Sequence, residues 1–428
     1  MESRGRPAFH YGWVVFGVTF LVLLIGAGAR SAPSVLILPL QREFGWSAAT
    51  IGFAIAGNIF LYGALGPFAV ALYERFGVVR SVAAALVLLA VGTSATALMS
   101  EPWQMLVLWG GVVGSAIGMI GLVLGATIAN RGFVRHRGVV VGVLSASTAT
   151  GQLVFLPLLA WIVATQGWRL AVVAVGGVAL LVLVPVLWLL RGYPADKGLP
   201  RLGETSITPP PAAIGNPFRR ALAGLQNGLG RRDFWLLAGS FFVCGASTNG
   251  LIGTHLISAC ADHGLPEVQA AGLLAAMGVL DLLGTAFSGW LTDRYDSRVL
   301  LAIYYGLRGL SLLFLPSAFD LGFEGLSLFA IFYGLDWIAT LPATVRLSGQ
   351  VFGEADAALM FGWVAAAHQL GAASAAWGAG LTRTLMGGYK RCLPFCRPAV
   401  PWRCPDGSLH RPSAARATGD GSTLIPLA

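Results

Sequence analysis

The chain of 428 residues is short of charge: Asp, Glu, Lys and Arg together make up 11%, against roughly 25% in soluble domains. That shortage excludes a water-soluble globular protein, and a mean hydropathy of +0.73 agrees. Cysteine is scarce, with five in all; Cys244 and Cys260 fall in one predicted helix and the rest in the carboxyl-terminal tail, so no disulfide framework is implied. The tail's Cys392, Cys396, Cys404 and His410 are spaced too loosely for a zinc site. No phosphate-binding glycine loop, nucleophile motif or metal-ligand pattern occurs in the apolar segments. An enzyme is therefore not expected, and neither is a cofactor. The net charge of +9 does not point to nucleic acid, because the basic residues gather in the loops of one side.

What the chain does have is apolar runs of about 20 to 27 residues, long enough for bilayer-spanning helices and too long for barrel strands. They predict helices at 12–38, 48–72, 81–99, 104–129, 139–165, 170–191, 233–260, 269–291, 299–319, 323–347 and 357–386. The first run is too long for a signal peptide and lacks a small-residue cleavage site, so it reads as a retained helix. Residues 192–232 form a polar linker with Pro209-Pro210-Pro211 and the pairs Arg219-Arg220 and Arg231-Arg232. It is expected to be mostly disordered, with an amphipathic helix near 217–229. Lys and Arg concentrate in the amino-terminal arm, the 73–80 and 130–138 loops, the linker and the 292–298 loop. That places the amino terminus in the cytoplasm, in a multi-pass protein expected in a bacterial inner (plasma) membrane. The basic loops are expected to face anionic membrane lipids.

Two stretches repeat. Gly289-Trp290-Leu291-Thr292-Asp293-Arg294 sits between two apolar runs, and Leu72-Tyr73-Glu74-Arg75 is a degenerate copy. Trp13 and Trp235, at the openings of the two halves, stand about as far apart as Glu74 and Asp293. Two copies of one membrane unit explain this spacing. The Gly-x-Leu-x-Asp-Arg loop resembles the signature of the major facilitator superfamily. In the first copy Glu74 replaces the Asp and Val70 the Gly. The resemblance implies an all-α integral membrane fold of two six-helix bundles, residues 1–191 and 233–388, joined by the 192–232 linker. It also implies that Glu74, Arg75, Asp293 and Arg294 take part in conformational gating, with an acidic side chain near the positive end of a neighbouring helix.

The first helix and the loop after it, with Arg30 and Leu38-Pro39-Leu40-Gln41-Arg42-Glu43-Phe44-Gly45-Trp46-Ser47, resemble the monocarboxylate-carrier and oxalate–formate-exchanger branch. In the carriers a Lys in helix 1 receives the substrate carboxylate, and Arg30 stands at about that position; a guanidinium grips a carboxylate with two parallel hydrogen bonds. The alternative is an Arg snorkelling to the interface. Helices 1, 4, 7 and 10 line the cavity in this superfamily. A charge inside a membrane helix is a functional candidate by default. Asp281 in helix 8 is a candidate for proton coupling, as in the carriers, although Thr285 stands where they have an Arg; the alternative is a structural pair with Arg308. Asp336 in helix 10 is a candidate for proton coupling or substrate binding, or a partner of Arg30 or Arg308. Asp336, Thr340 and Thr344 recur every four residues and are expected to share a face, with Pro342 freeing a carbonyl. Asn249 in helix 7 and His368 in helix 11 complete the substrate-binding candidates, and Arg346 is read as a headgroup contact. The helix 4 glycines read as packing residues.

After Gly388 the pattern breaks. The superfamily has twelve helices and eleven apolar runs are present. Residues 389–428 carry recurring Pro and Arg and no run of about 20 apolar residues. A frameshift near Tyr389 is the expectation, checked by reading the coding DNA in its other two frames for about 20 apolar residues. The expected function is secondary active transport of a small organic anion, a monocarboxylate, with protons or by exchange against a counter-anion, by a monomer. A drug or hydrophobic-compound exporter, a non-transporting membrane sensor and an inactive truncated transporter stay open.

Overall fold

The computed structural model describes residues 10–134, 137–207, 216–292 and 294–386. The described chain is helical throughout, with one isolated backbone bridge between Phe133 and Leu202. Eleven long helices follow in order, here α1 to α11. The first six are α1 (Gly12–Phe44), α2 (Ala48–Phe76), α3 (Val78–Thr96), α4 (Pro102–Gly132), α5 (Arg137–Gln166) and α6 (Trp168–Leu189). The other five are α7 (Arg232–Asp262), α8 (Glu267–Thr292), α9 (Ser297–Asp320), α10 (Gly322–Phe352) and α11 (Glu354–Met386). Nine are long and apolar enough to cross a bilayer by length and composition alone; α5 and α11 are as long, at 30 and 33 residues. The twelfth-helix question falls on residues 389–428, outside the described residues.

Several ends differ from the sequence expectation. Apolar runs mark only the buried part of a helix, whereas caps set its limits. The first helix continues past residue 38 to Phe44, where Gly45 at φ 67° ends it in the left-handed conformation that glycine adopts without strain. Ser47 then caps α2, its Oγ accepting the Thr50 amide at 3.1 Å.

The two halves meet along α2 with α11 and α5 with α8. Small residues allow the close approach: a Cβ at Gly63 of α2 would lie 2.3 Å from Gln369 Cβ of α11, and one at Gly380 of α11 2.5 Å from the Ala48 carbonyl oxygen. The glycines of α4 do the same within the first half. A Cβ at Gly114 would lie 2.8 Å from Asn58 Cα of α2, and Asn58 Nδ2 donates to Trp109 O at 2.7 Å beside it.

At the face carrying the α1–α2 and α7–α8 turns, polar side chains tie the halves together. Arg42 of α1 pairs with Glu267 of α8 at 3.0 Å. Arg383 of α11 pairs with Asp262 of α7 at 2.8 Å and also donates to Gln41 Oε1 of α1. At the opposite face the linker is ordered where it is described, which corrects the expectation of disorder for those residues. Backbone pairing is the reason: Leu202 N donates to Gly132 O at 2.9 Å and Val134 N to Leu202 O at 3.0 Å. The linker helix, Pro217–Leu229, lies where amphipathicity predicts it. Its Phe218 stacks on Phe68 of α2 at 6.1 Å, and its Ala221 carbonyl accepts from Trp363 Nε1 of α11 at 3.0 Å, so it spans both halves.

Candidate functional site

Four of the described long helices are interrupted: α1, α4, α7 and α10. In α1 the interruption is at Ala32, before Pro33. In α4 a π-helical stretch runs Leu106–Val113 and the helix breaks again between Met119 and Leu122. In α7 a π-helical stretch runs Ala246–Ile252 and contains Ser247, Thr248 and Asn249. In α10 one segment ends at Leu335 and the next begins at Thr340. Proline alone does not cause this, because α2, α5, α6 and α9 each contain one (Pro67, Pro157, Pro185, Pro316) and remain single helices. Irregular turns of this kind gather at functional sites, and in a membrane they are tolerated where protein or a cavity satisfies the freed backbone.

Arg30 lies in the last turn before the α1 interruption and is half-buried. Its guanidinium sits 5.7 Å from the ring centroid of Tyr62 of α2, a cation–π contact. No carboxylate lies within 4 Å of it among the described residues. His368 of α11 is buried, packs on the Phe241 ring at 4.7 Å, and lies within electrostatic reach of both Arg30 and Arg308. Its Nδ1 is buried with no hydrogen-bond partner in the described residues.

Asp336 is not one turn below Thr340 on a continuous helix. It stands at the end of the first α10 segment, in the interruption, so the expected row of Asp336, Thr340 and Thr344 is broken after its first member. The remaining pair is regular, with Thr344 Oγ1 donating to Thr340 O at 2.8 Å. Asp336 is 6% exposed and Arg308 of α9 is 2% exposed; Arg308 Nε donates to Asp336 Oδ2 at 2.8 Å. Arg308 Nη1 donates to Cys244 Sγ at 2.8 Å, and Cys244 Sγ lies 3.4 Å from Thr340 Oγ1. Of the partners considered from sequence, Arg308 therefore takes Asp336. Asp336 Oδ1 is buried without a partner in the described residues.

Asp281 is half-buried on α8. Its Oδ1 accepts from Thr285 Oγ1 at 3.0 Å and from the Ile338 amide at 2.9 Å. Thr285, in the place of the Arg that the resemblance leads one to expect, thus serves the Asp as a hydrogen-bond donor. Asn249 is half-buried in the π-helical part of α7, and its carbonyl accepts from Thr254 Oγ1 at 2.8 Å.

The gating candidates are at the surface. Glu74, Arg75 and Arg294 are exposed; Arg75 lies over the Phe76 ring and Arg294 over the Trp290 ring, at 5.5 and 4.0 Å. Asp293 lies outside the described residues. The buried member of the first loop is Tyr73, which donates to Met119 O at the α4 interruption. Arg346, read as a headgroup contact, is exposed and donates through Nη1 to Thr292 O at the end of α8. The contact between Arg308 and Asp336 was visible in the sequence only as one of several charge pairings; the part played by Tyr73 carried no signal beyond its place in the loop.

Comparison with known proteins agrees with this architecture. The chain is 24% identical over 399 residues to YcxA of Bacillus subtilis (strain 168), described as an uncharacterized MFS-type transporter, with 90% of this chain and 91% of the relative covered. It is 27% identical to Monocarboxylate transporter 11 of Mus musculus, covering 73% and 66%. A bacterial homolog to the human lysosomal transporter Spinster, solved in an inward-facing and unoccupied conformation, superposes with a TM-score of 0.69 at 17% identity, covering 91% and 86%. Nine helices among the described residues are long and apolar enough to cross a bilayer, the Major Facilitator Superfamily model matches residues 18–376, and the chain belongs to the Major Facilitator Superfamily of membrane transporters.

Proposed function

We propose that this chain is a secondary active transporter of a small organic anion, a monocarboxylate, moved with a proton or in exchange for another anion by alternating access. One observation carries the reading. Arg30 is a half-buried guanidinium in a membrane helix with a ring against it and no carboxylate partner among the described residues, whereas Arg308 is fully engaged by protein. A charge kept in that setting needs an anion to complete it, and a carboxylate fits its fork. Similarity to a protein named as a monocarboxylate transporter supports the class.

In this reading Arg30, Asn249, Thr340, His368 and Asp336 surround the substrate, and Asp281 or Asp336 carries the proton. Asp336 Oδ1 and His368 Nδ1, both buried without partners among the described residues, are where a proton or a bound molecule would be accommodated. Glu74, Arg75, Asp293 and Arg294 act at the loops that open and close one face. The amino terminus is cytoplasmic and the membrane is a bacterial inner membrane, with the basic loops against its anionic lipids. The protein works as a monomer.

The test is uptake of labelled pyruvate or lactate into proteoliposomes under an imposed pH gradient, beside Arg30→Gln. Uptake that follows the gradient and is lost in Arg30→Gln is the expected result. Uptake equal in the two proteins overturns the role of Arg30. No uptake, repeated on a chain given an apolar twelfth helix, overturns the carboxylate reading.

A further inference from the structure

The interruption in α10 leaves backbone groups open inside the bundle, and several of them can be followed to a partner. Pro342 supplies no amide, and its ring cannot pack against the carbonyl four residues before it, that of Ile338. That carbonyl turns instead to the Leu341 amide at 2.8 Å, a tighter turn. The Asp336 and Trp337 carbonyls accept from Arg308 Nη2, the second at 3.0 Å. The Ile338 amide donates to Asp281 Oδ1 at 2.9 Å. The Ala339 carbonyl accepts from Ser288 Oγ at 2.5 Å. Three side chains from two neighbouring helices, α8 and α9, thus replace the helical ladder across four residues. The signs are right as well: the cation meets the carbonyl end of the upper segment and the anion meets the amide end of the lower one.

We propose that Arg308 and Asp281 are positioning residues that hold α10 as two half-helices hinged at Asp336–Ala339. Proline starts the break and the two charges maintain it. The proline-containing helices α2, α5, α6 and α9, which have no such clasp described at their prolines, run straight through. Both ends of the clasp have little freedom to yield. Arg308 spends its fork on Asp336 Oδ2, two carbonyls and Cys244 Sγ, and Thr285 fixes the Asp281 carboxylate from the adjoining turn of α8. A half-helix released at this point carries Thr340 and Thr344 independently of the segment above. Only the uptake arm below rests on the transport reading; the exchange arm does not.

The experiment is amide hydrogen exchange, by mass spectrometry, of the full chain in lipid nanodiscs, following peptides that contain residues 336–341. Asp281→Ala removes the acceptor and Arg308→Lys removes the fork while keeping the charge. Each is expected to raise exchange in that segment about tenfold, the equivalent of one hydrogen bond to a charged group, with α2 and α3 unchanged. Asp281→Asn, which keeps an oxygen facing the Ile338 amide, is expected to restore protection. Exchange unchanged in both Asp281→Ala and Arg308→Lys, or raised equally over the whole second half, overturns the proposal. In proteoliposomes, Arg308→Lys is expected to lower the maximal rate of pyruvate uptake about tenfold while the apparent KM stays within about threefold. A raised KM at unchanged rate would make Arg308 a substrate contact and overturn its positioning role. If the unaltered protein takes up no pyruvate, the exchange result decides alone.

Discussion

Arg383, in the last turns of α11, grips both carboxylate oxygens of Asp262 at the end of α7, with Nη2 to Oδ1 at 2.8 Å and Nε to Oδ2 at 3.2 Å. Two parallel contacts between a guanidinium and a carboxylate give orientation as well as attraction. Because the same Arg383 also reaches Gln41 of α1, the pair is the anchor of a contact between the two halves.

Removing that anchor is expected to loosen this face of the protein. The pair is partly shielded, so its contribution is about 1 kcal/mol, and Arg383→Gln should raise the open fraction roughly fivefold. Maleimide labelling of a cysteine introduced at Ala49, in a background without the native cysteines, measures it. Labelling unchanged by Arg383→Gln would show that the ion pair does not hold the face.

The buried pair Arg308 and Asp336 should behave asymmetrically. Removing one partner strands a charge away from water, which costs about 3 to 5 kcal/mol. Arg308→Met and Asp336→Leu are each expected to melt well below the unaltered protein in detergent. The double variant, with no charge left to strand, should recover part of the loss. A double variant as unstable as the sum of the two would mean that the side chains act independently.

Close backbone approach makes two glycines irreplaceable. A Cβ on Gly245 of α7 would lie 1.8 Å from the His368 carbonyl oxygen, and one on Gly284 of α8 1.8 Å from that of Leu335. Both neighbours are backbone and cannot step aside as a side chain can. Gly245→Ala and Gly284→Ala should each cost about 2 kcal/mol or more by overpacking. Gly289→Ala, where a Cβ meets nothing within 4 Å, is the control. Thermal melts of the three in one detergent decide the point.

Arg30→Lys separates charge from geometry at the proposed substrate site. Lysine keeps the positive charge and gives up the planar fork. Retention of uptake with an apparent affinity weakened about tenfold, one hydrogen bond to a charged group, is expected. Full activity in Arg30→Lys would mean that charge alone suffices.

Much of the fold was legible because membrane helices announce themselves by length and hydropathy. The eleven runs from residue 12 to residue 386 correspond to α1 through α11, and the amphipathic stretch at 217–229 to the linker helix. The candidate residues were legible one at a time: a charge such as Arg30, Asp281 or Asp336 stands out in an apolar segment. Their pairing was not, because Arg308 and Asp336 lie on different helices and either could have met several partners. The interruption at Asp336–Ala339 was hidden for a related reason. Pro342 marks a weakness, but four other helices carry proline unbroken, and what separates them from α10 is the set of side chains that other helices bring to it. The end of α1 was misjudged because Gln41, Arg42 and Glu43 look like loop residues until Glu43 is seen to accept from Trp168 Nε1 at 2.6 Å.

The interruptions in α1, α4, α7 and α10 have a consequence for how such a protein can change over generations. Amide and carbonyl groups freed from a helical ladder belong to the main chain, and no ordinary point mutation deletes them. A helix broken in this way keeps these polar groups even when the side chains that answer them are exchanged. In the proposed transporter, selectivity for a molecule can then drift through the proposed substrate residues Asn249 and His368, while the breaks in the helices are inherited intact.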